Sequence, residues 1–177
     1  MPKIIKDNPD KEIFYFDESR FGTHSKIGHA WFKTGTRTRV KVKLGFKNFY
    51  LYCAVNPKTG EEFTLILPNV NKEWMKIFMT EFYKKYKDRN IIMIMDGAGW
   101  HKDFKYLLKE TQNIEIILQP SYSPELNPVE RLWQYVKNHT IKNKIYESLD
   151  DLENEICKFM NEKINNNLIK TICRVNY

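Results

Sequence analysis

The hydrophobic rhythm of the chain changes near residue 71. Before it, the apolar positions come in strand-like pieces. IFYFD (13–17) is short and aromatic and ends on an acid. HAWFK (29–33) and TRTRVKVK (36–43) alternate around Gly35, and KNFYLYCAV (47–55) predicts a third strand. The Asn-Pro and Gly of NPKTG (56–60) predict a turn, so EEFTLILP (61–68) returns as the other half of a hairpin. From Asn71 the spacing is helical, with Trp74, Ile77, Phe78 and Phe82 on one stripe and Asn71 as N-cap. NIIMIMD (90–96) is a continuous apolar run, the pattern of a parallel strand buried on both faces. A helix over 102–110, a second buried strand at IEIILQ (114–119) and helices over about 128–142 and 148–165 complete the chain. Antiparallel strands followed by alternating helices and buried strands predict a mixed α/β sheet with helices on its faces. No repeat, low-complexity segment or linker divides the sequence, so a single domain over 1–177 is expected, with only the first ten residues as a tail.

Composition changes this picture little. With 42% apolar residues in 177, a globular domain with a sizeable core is expected. The net charge of +7 favours a polyanionic partner by its field, although a cationic surface explains it as well. Cys53, Cys157 and Cys173 are far apart and odd in number, which argues against a zinc site or a disulfide framework and fits a reducing cytoplasm. MPKIIKDNPDKEIF at the N-terminus has no long apolar core, so neither a signal peptide nor a membrane span is expected.

The candidate chemistry lies in three acids. Asp17 closes the first strand, Asp96 closes NIIMIMD, and Glu130 opens the helix after the last strand. One acid after an apolar run is usually a turn former. Three of them converge if their strands lie side by side, and their repulsion then calls for hard cations such as Mg²⁺. Two such ions, about 3.5–4 Å apart, suit phosphodiester chemistry. Glu130 has a rival role: Asn127 as N-cap, Pro128 at N1 and Glu130 at N3 form a capping-box arrangement. Glu125 is a second acid in the same loop, and Glu18 follows Asp17 but faces the other way on a strand. Pro120, Pro124 and Pro128 stiffen the lead-in to Glu130.

FDESRFG (16–22), HAWFKTGTR (29–37), MDGAGWH (95–101) and QPSYSPELNPVERLW (119–133) resemble, in order, the motif set of DDE transposases. The nearest branch is the mariner-like group of bacterial and archaeal insertion-sequence transposases. The resemblance covers nearly the whole chain and implies an RNase H-like fold, a mixed five-stranded sheet flanked by helices. It makes Asp17, Asp96 and Glu130 the catalytic triad and the ligands of two Mg²⁺ or Mn²⁺ ions, Asp17 bridging both. The 33 residues between Asp96 and Glu130 suit the short spacing of that group, and the balance for Glu130 moves from cap to ligand. The implied reaction is DNA phosphodiester cleavage at an element end, followed by attack of the freed 3′-hydroxyl on target DNA. Transposon ends and target DNA are then the partners, self-association as a homodimer is expected, and the location is cytoplasmic, on the nucleoid.

Two features depart from the pattern. Gly97 stands where Asn is more usual, and only about twelve residues precede the first strand, where full transposases carry helix-turn-helix domains. The chain is therefore expected to be the catalytic half of a split-frame element or a truncated copy, with a separate helix-turn-helix subunit as a candidate partner. Two alternatives stand beside it: an RNase H-like nuclease that does not join DNA, and an inactive remnant that only binds DNA or a partner. Among lesser features, Arg37, Arg39, Lys41 and Lys43 share one face of a strand and either track a DNA backbone or form a solvated face. His101 is a candidate proton carrier near the scissile phosphate, or a structural histidine at a helix start. Trp100 stacks on a base or packs, whereas Trp74, Trp133 and Val136 are expected in the core.

Overall fold

The structure, a computed structural model, describes residues 8–24, 34, 43–97, 113–120, 123 and 126–175. Five strands form one sheet: β1 (Glu12–Gly22), β2 (Asn48–Val55), β3 (Glu62–Leu67), β4 (Ile91–Met95) and β5 (Ile114–Leu118). Their spatial order is β3-β2-β1-β4-β5. β1, β2 and β3 pair antiparallel, while β4 and β5 continue the sheet parallel to β1. Four helices accompany them: α1 (Lys72–Tyr86), α2 (Val129–Thr140), α3 (Leu149–Lys163) and α4 (Asn166–Ile172). This is the expected mixed sheet.

Strand alternation sorts the core into two faces. Phe14, Phe16, Tyr52 and Ala54 point to one side, where Met75, Phe78, Met79 and Phe82 of α1 cover them. Tyr15, Phe21, Leu51, Cys53 and Val55 point to the other, beneath Val129, Leu132, Trp133 and Val136 of α2 and Leu152 and Ile156 of α3. All five residues of β4 are buried because both faces are covered, as the uninterrupted apolar run predicts. Trp133 and Val136 are in the core, and Trp74 packs at its margin. Asn71 caps α1 as expected, its Oδ1 accepting the Trp74 N–H at 3.0 Å. No helix of the described residues is long and apolar enough to cross a membrane.

Three expectations need correction. Asp17 does not end the first strand: β1 runs on to Gly22, because β2 still pairs with it after β4 has stopped at Met95. β5 is not buried on both faces. It is the edge of the described sheet, with Leu118 41% exposed. Ile77 leaves the buried stripe of α1, where Met75 and Met79 take its place. The last expected helix holds as α3, and α4 is a further helix beyond it, begun after the chain leaves helical geometry at Ile164 and capped by Asn165. The strand pieces over 29–33 and 36–42 and the helix over 102–110 lie outside the described residues.

Candidate active site

Parallel register brings the first two acids level. Tyr15 pairs with Ile94, and two further steps along each strand reach Asp17 and Asp96. Tyr15 and Ile94 both belong to the core beneath α2, so alternation turns Asp17 and the residue in register with it toward the same face. Glu18, like Phe14 and Phe16, points to the α1 side, as expected from its position. Asp17 is held from α2: Trp133 Nε1–H donates to its Oδ2 at 2.9 Å.

The start of α2 is tied to the same strand. Asn127 is buried; its Nδ2 donates to the Phe16 carbonyl at 2.8 Å and its Oδ1 accepts the Val129 N–H at 3.1 Å. One side chain thus closes an Asx turn and pins the helix beside Asp17. The capping box does not form. Asn127 is committed to these bonds, Pro128 supplies no side-chain cap, and the first turn closes through backbone bonds, Glu130 N–H to Asn127 O and Arg131 N–H to Pro128 O, both 3.2 Å. Among the described residues no hydrogen bond or ion pair engages the Glu130 side chain, and the residue is exposed. It stands about one helical turn before Trp133, which turns it toward the Asp17 side.

The electrostatics record this convergence. The Asp17 carboxyl is pushed up from 3.8 to about 8, first by burial, then by the charges of Glu130 and Glu18. The Trp133 hydrogen bond opposes the shift, and the Asp96 charge adds to it. Asp96 is exposed at the carboxyl end of β4. Among the described residues no three acidic, histidine or cysteine side chains are drawn together as a ready ligand group. The acids share a face and feel one another's charge without closing into a cage.

Lys137 is a member of this face that sequence reasoning missed. Its Nζ donates to Ser19 Oγ at 2.6 Å and lies 5.2 Å from the centre of the Phe21 ring. The signal was present in the spacing: Glu130, Trp133 and Lys137 recur at i, i+3 and i+7, opposite Asp17, Ser19 and Phe21 at every second position. Of the basic quartet, Lys43 is described, and it is not on a strand. Its Nζ donates to the carbonyls of Tyr146 at 2.9 Å and Glu147 at 2.6 Å, bracing the α2–α3 connection. Arg37, Arg39, Lys41, Trp100, His101 and Glu125 lie outside the described residues. At Gly97 an added Cβ meets no described atom within 4 Å, so space does not dictate the departure from Asn there.

Comparison with known proteins identifies the family and agrees with the fold. The family model of the DDE superfamily endonuclease matches residues 12–153. The uncharacterized protein y4pE/y4sA of Sinorhizobium fredii (strain NBRC 101917 / NGR234) is 34% identical over 116 residues, covering 65% of this chain and 84% of that protein. The insertion element IS630 uncharacterized 39 kDa protein of Shigella sonnei is 30% identical over 152 residues, covering 84% of this chain but 44% of that protein. Among solved structures, the Mos1 strand transfer complex superposes with a TM-score of 0.75 at 15% identity, over 97% of this chain and 53% of that one. The catalytic domain of Mos1 mariner transposase gives a TM-score of 0.66 at 14% identity, over 97% of this chain and 82% of that one. The chain therefore spans about half the length of the IS630 relative and of the Mos1 chain in the complex. At such low identity the Mos1 likeness is one of fold, the RNase H-like sheet flanked by helices. On the family match over most of its length and on its kinship with y4pE/y4sA, the chain belongs to the DDE superfamily endonucleases.

Proposed function

We propose that this chain is the catalytic domain of an insertion-element transposase, which cleaves DNA phosphodiesters at element ends and joins the freed 3′-hydroxyl to target DNA. The observation that carries this reading is the convergence of three acids on one face. Strand register brings Asp17 and Asp96 level, and the Asn127–Phe16 and Trp133–Asp17 bonds dock the helix that bears Glu130 beside them. The donor set is all carboxylate oxygen, which suits a hard divalent cation. Negative charge crowded around a half-buried Asp17 is the condition a cation relieves. Two bound Mg²⁺ or Mn²⁺ ions supply activation of the attacking oxygen and neutralisation of the departing one.

In this reading Asp17, whose carboxylate Trp133 orients through one oxygen, would hold the metal together with Asp96 and Glu130. Lys137, on the same face, offers positive charge to a phosphate. The solved relatives support the substrate class: they include Mos1 in a paired-end complex with the left transposon end and paired-end complexes with Mg and with Mn. DNA ends and target are the partners, the enzyme acts as a dimer on the nucleoid, and a helix-turn-helix segment or subunit supplies end recognition.

The test is a nicking and strand-transfer assay on labelled oligonucleotides and plasmid, with Mg²⁺ or Mn²⁺, comparing wild type with Asp96→Asn and Glu130→Gln. Metal-dependent cleavage lost in both variants, with joined products from the wild type, is expected. Cleavage without joining makes the chain a nuclease instead. No cleavage and no metal binding by calorimetry overturns the reading.

A further inference from the structure

On the β5 side, the face that carries the acids ends at Gln119. Its backbone N–H donates to the Met95 carbonyl at 2.8 Å. In a parallel ladder that bond sets Gln119 opposite the residue after Met95, which is Asp96. The preceding pairs agree, Ile94 with Ile117 and Met95 with Leu118. Ile94 and Ile117 both pack into the core beneath α2, so alternation turns Gln119 toward that face too. The side chain is only 6% exposed, and its Nε2 has no hydrogen-bond partner. The other such atom among the described residues, the Tyr86 hydroxyl, lies on the opposite face of the sheet. A buried amide donor without an acceptor is rare and costly, and it needs an explanation. The neighbouring strand offers one, because Asp96 stands opposite Gln119 in the ladder.

We propose that Gln119 is a positioning residue: its Nε2 donates to the Asp96 carboxylate when that carboxylate engages a divalent cation, and so holds the ligand in orientation. The inference rests on the reading of Asp96 as a metal ligand given above. A carboxylate that binds a cation through one oxygen is held by a donor on the other. An amide does this without bringing a positive charge that would compete with the cation.

Calorimetric titration of Mn²⁺ into chelator-treated protein tests it, with wild type, Gln119→Met, Gln119→Leu and Asp96→Asn, each first melted without metal. Loss of such a supporting donor is expected to weaken Mn²⁺ binding about 10–100-fold in Gln119→Met. The metal-free Tm should not fall, because the substitution removes a buried donor that has no acceptor. Gln119→Leu gives a second apolar replacement should the first not fold. Unchanged affinity in a folded Gln119 variant, with binding lost in Asp96→Asn, overturns this inference and leaves the role of Asp96 standing. Binding retained in Asp96→Asn overturns both. A lower metal-free Tm with unchanged affinity assigns Gln119 to the core and overturns the inference as well.

Discussion

Asp17 carries the sharpest electrostatic conflict in the site. Burial and the neighbouring acids keep its carboxyl protonated up to about pH 8, whereas an ordinary aspartate titrates near 3.8. Between those values the folded chain holds a proton that the unfolded chain has released. The linkage sign follows: the Asp17 contribution is present in full below pH 4 and is lost as pH rises toward 8. In the presence of chelator, wild type should lose stability relative to Asp17→Asn across that window. The slope is at most about 1.4 kcal/mol per pH unit for a single proton. Melting curves of both proteins at pH 5, 6.5 and 8 measure it, and parallel profiles would contradict the assignment. A cation that binds Asp17 must displace this proton, so Mn²⁺ affinity should rise with pH up to about 8 and level off beyond it.

At the level of elements, the decisive joint is between α2 and β1. Asn127 uses its amide for two purposes, the Asx turn at Val129 and the bond to Phe16. Asn127→Ala should cost about 1–3 kcal/mol, since it strands a buried carbonyl and a turn N–H. Asn127→Asp keeps the turn acceptor but sets an oxygen against the Phe16 carbonyl. It should be at least as destabilised as the alanine variant, and nicking should fall in both because Glu130 loses its docking. Urea unfolding and the nicking assay read these two effects separately. An aspartate variant as stable as wild type would show that the tie to β1 is unimportant.

Across the whole molecule, an Arg89 ion-pair cluster and the proposed site occupy opposite ends of the sheet. At the far end Arg89 joins β1, the β2–β3 hairpin and the start of β4. It donates to Glu12, makes paired bonds to Glu61 at 2.7 and 3.0 Å, and lies 4.8 Å from the centre of the Tyr86 ring. The guanidinium hydrogen bonds hold the Glu61 carboxyl below its usual range. Because the groups are partly solvated, Arg89→Met should cost only about 1–2 kcal/mol. The per-molecule cleavage rate of the folded variant should be unchanged; a large fall would mean that the two ends are coupled. The proposed metal site lies at the other end. Mn²⁺ at 100 times its Kd should stabilise the fold by about 2.7 kcal/mol by mass action. Chelator should reverse the gain, and Asp96→Asn with Glu130→Gln should abolish it in thermal melts.

The sequence by itself determined the features that depend on local sterics and spacing. These were the all-buried β4, the hairpin turn at 56–60, the cap at Asn71 and the core roles of Trp133 and Val136. The three candidate acids stood out too, because each follows or interrupts an apolar run. What tertiary structure alone decided were the pairings between distant segments. Nothing local to IFYFD says that the strand outruns one neighbour and continues along another, so Asp17 read as an end when it is the middle of β1. The choice between cap and free carboxylate at Glu130 was settled by Asn127, whose amide is taken by a carbonyl 111 residues away. The Lys137–Ser19 bond and the place of Gln119 opposite Asp96 likewise exist only once register is set. Periodicity reports which way a side chain faces within its own element. Which partner it meets is fixed when strands and helices dock, and the burial and charge that shift Asp17 arise only then.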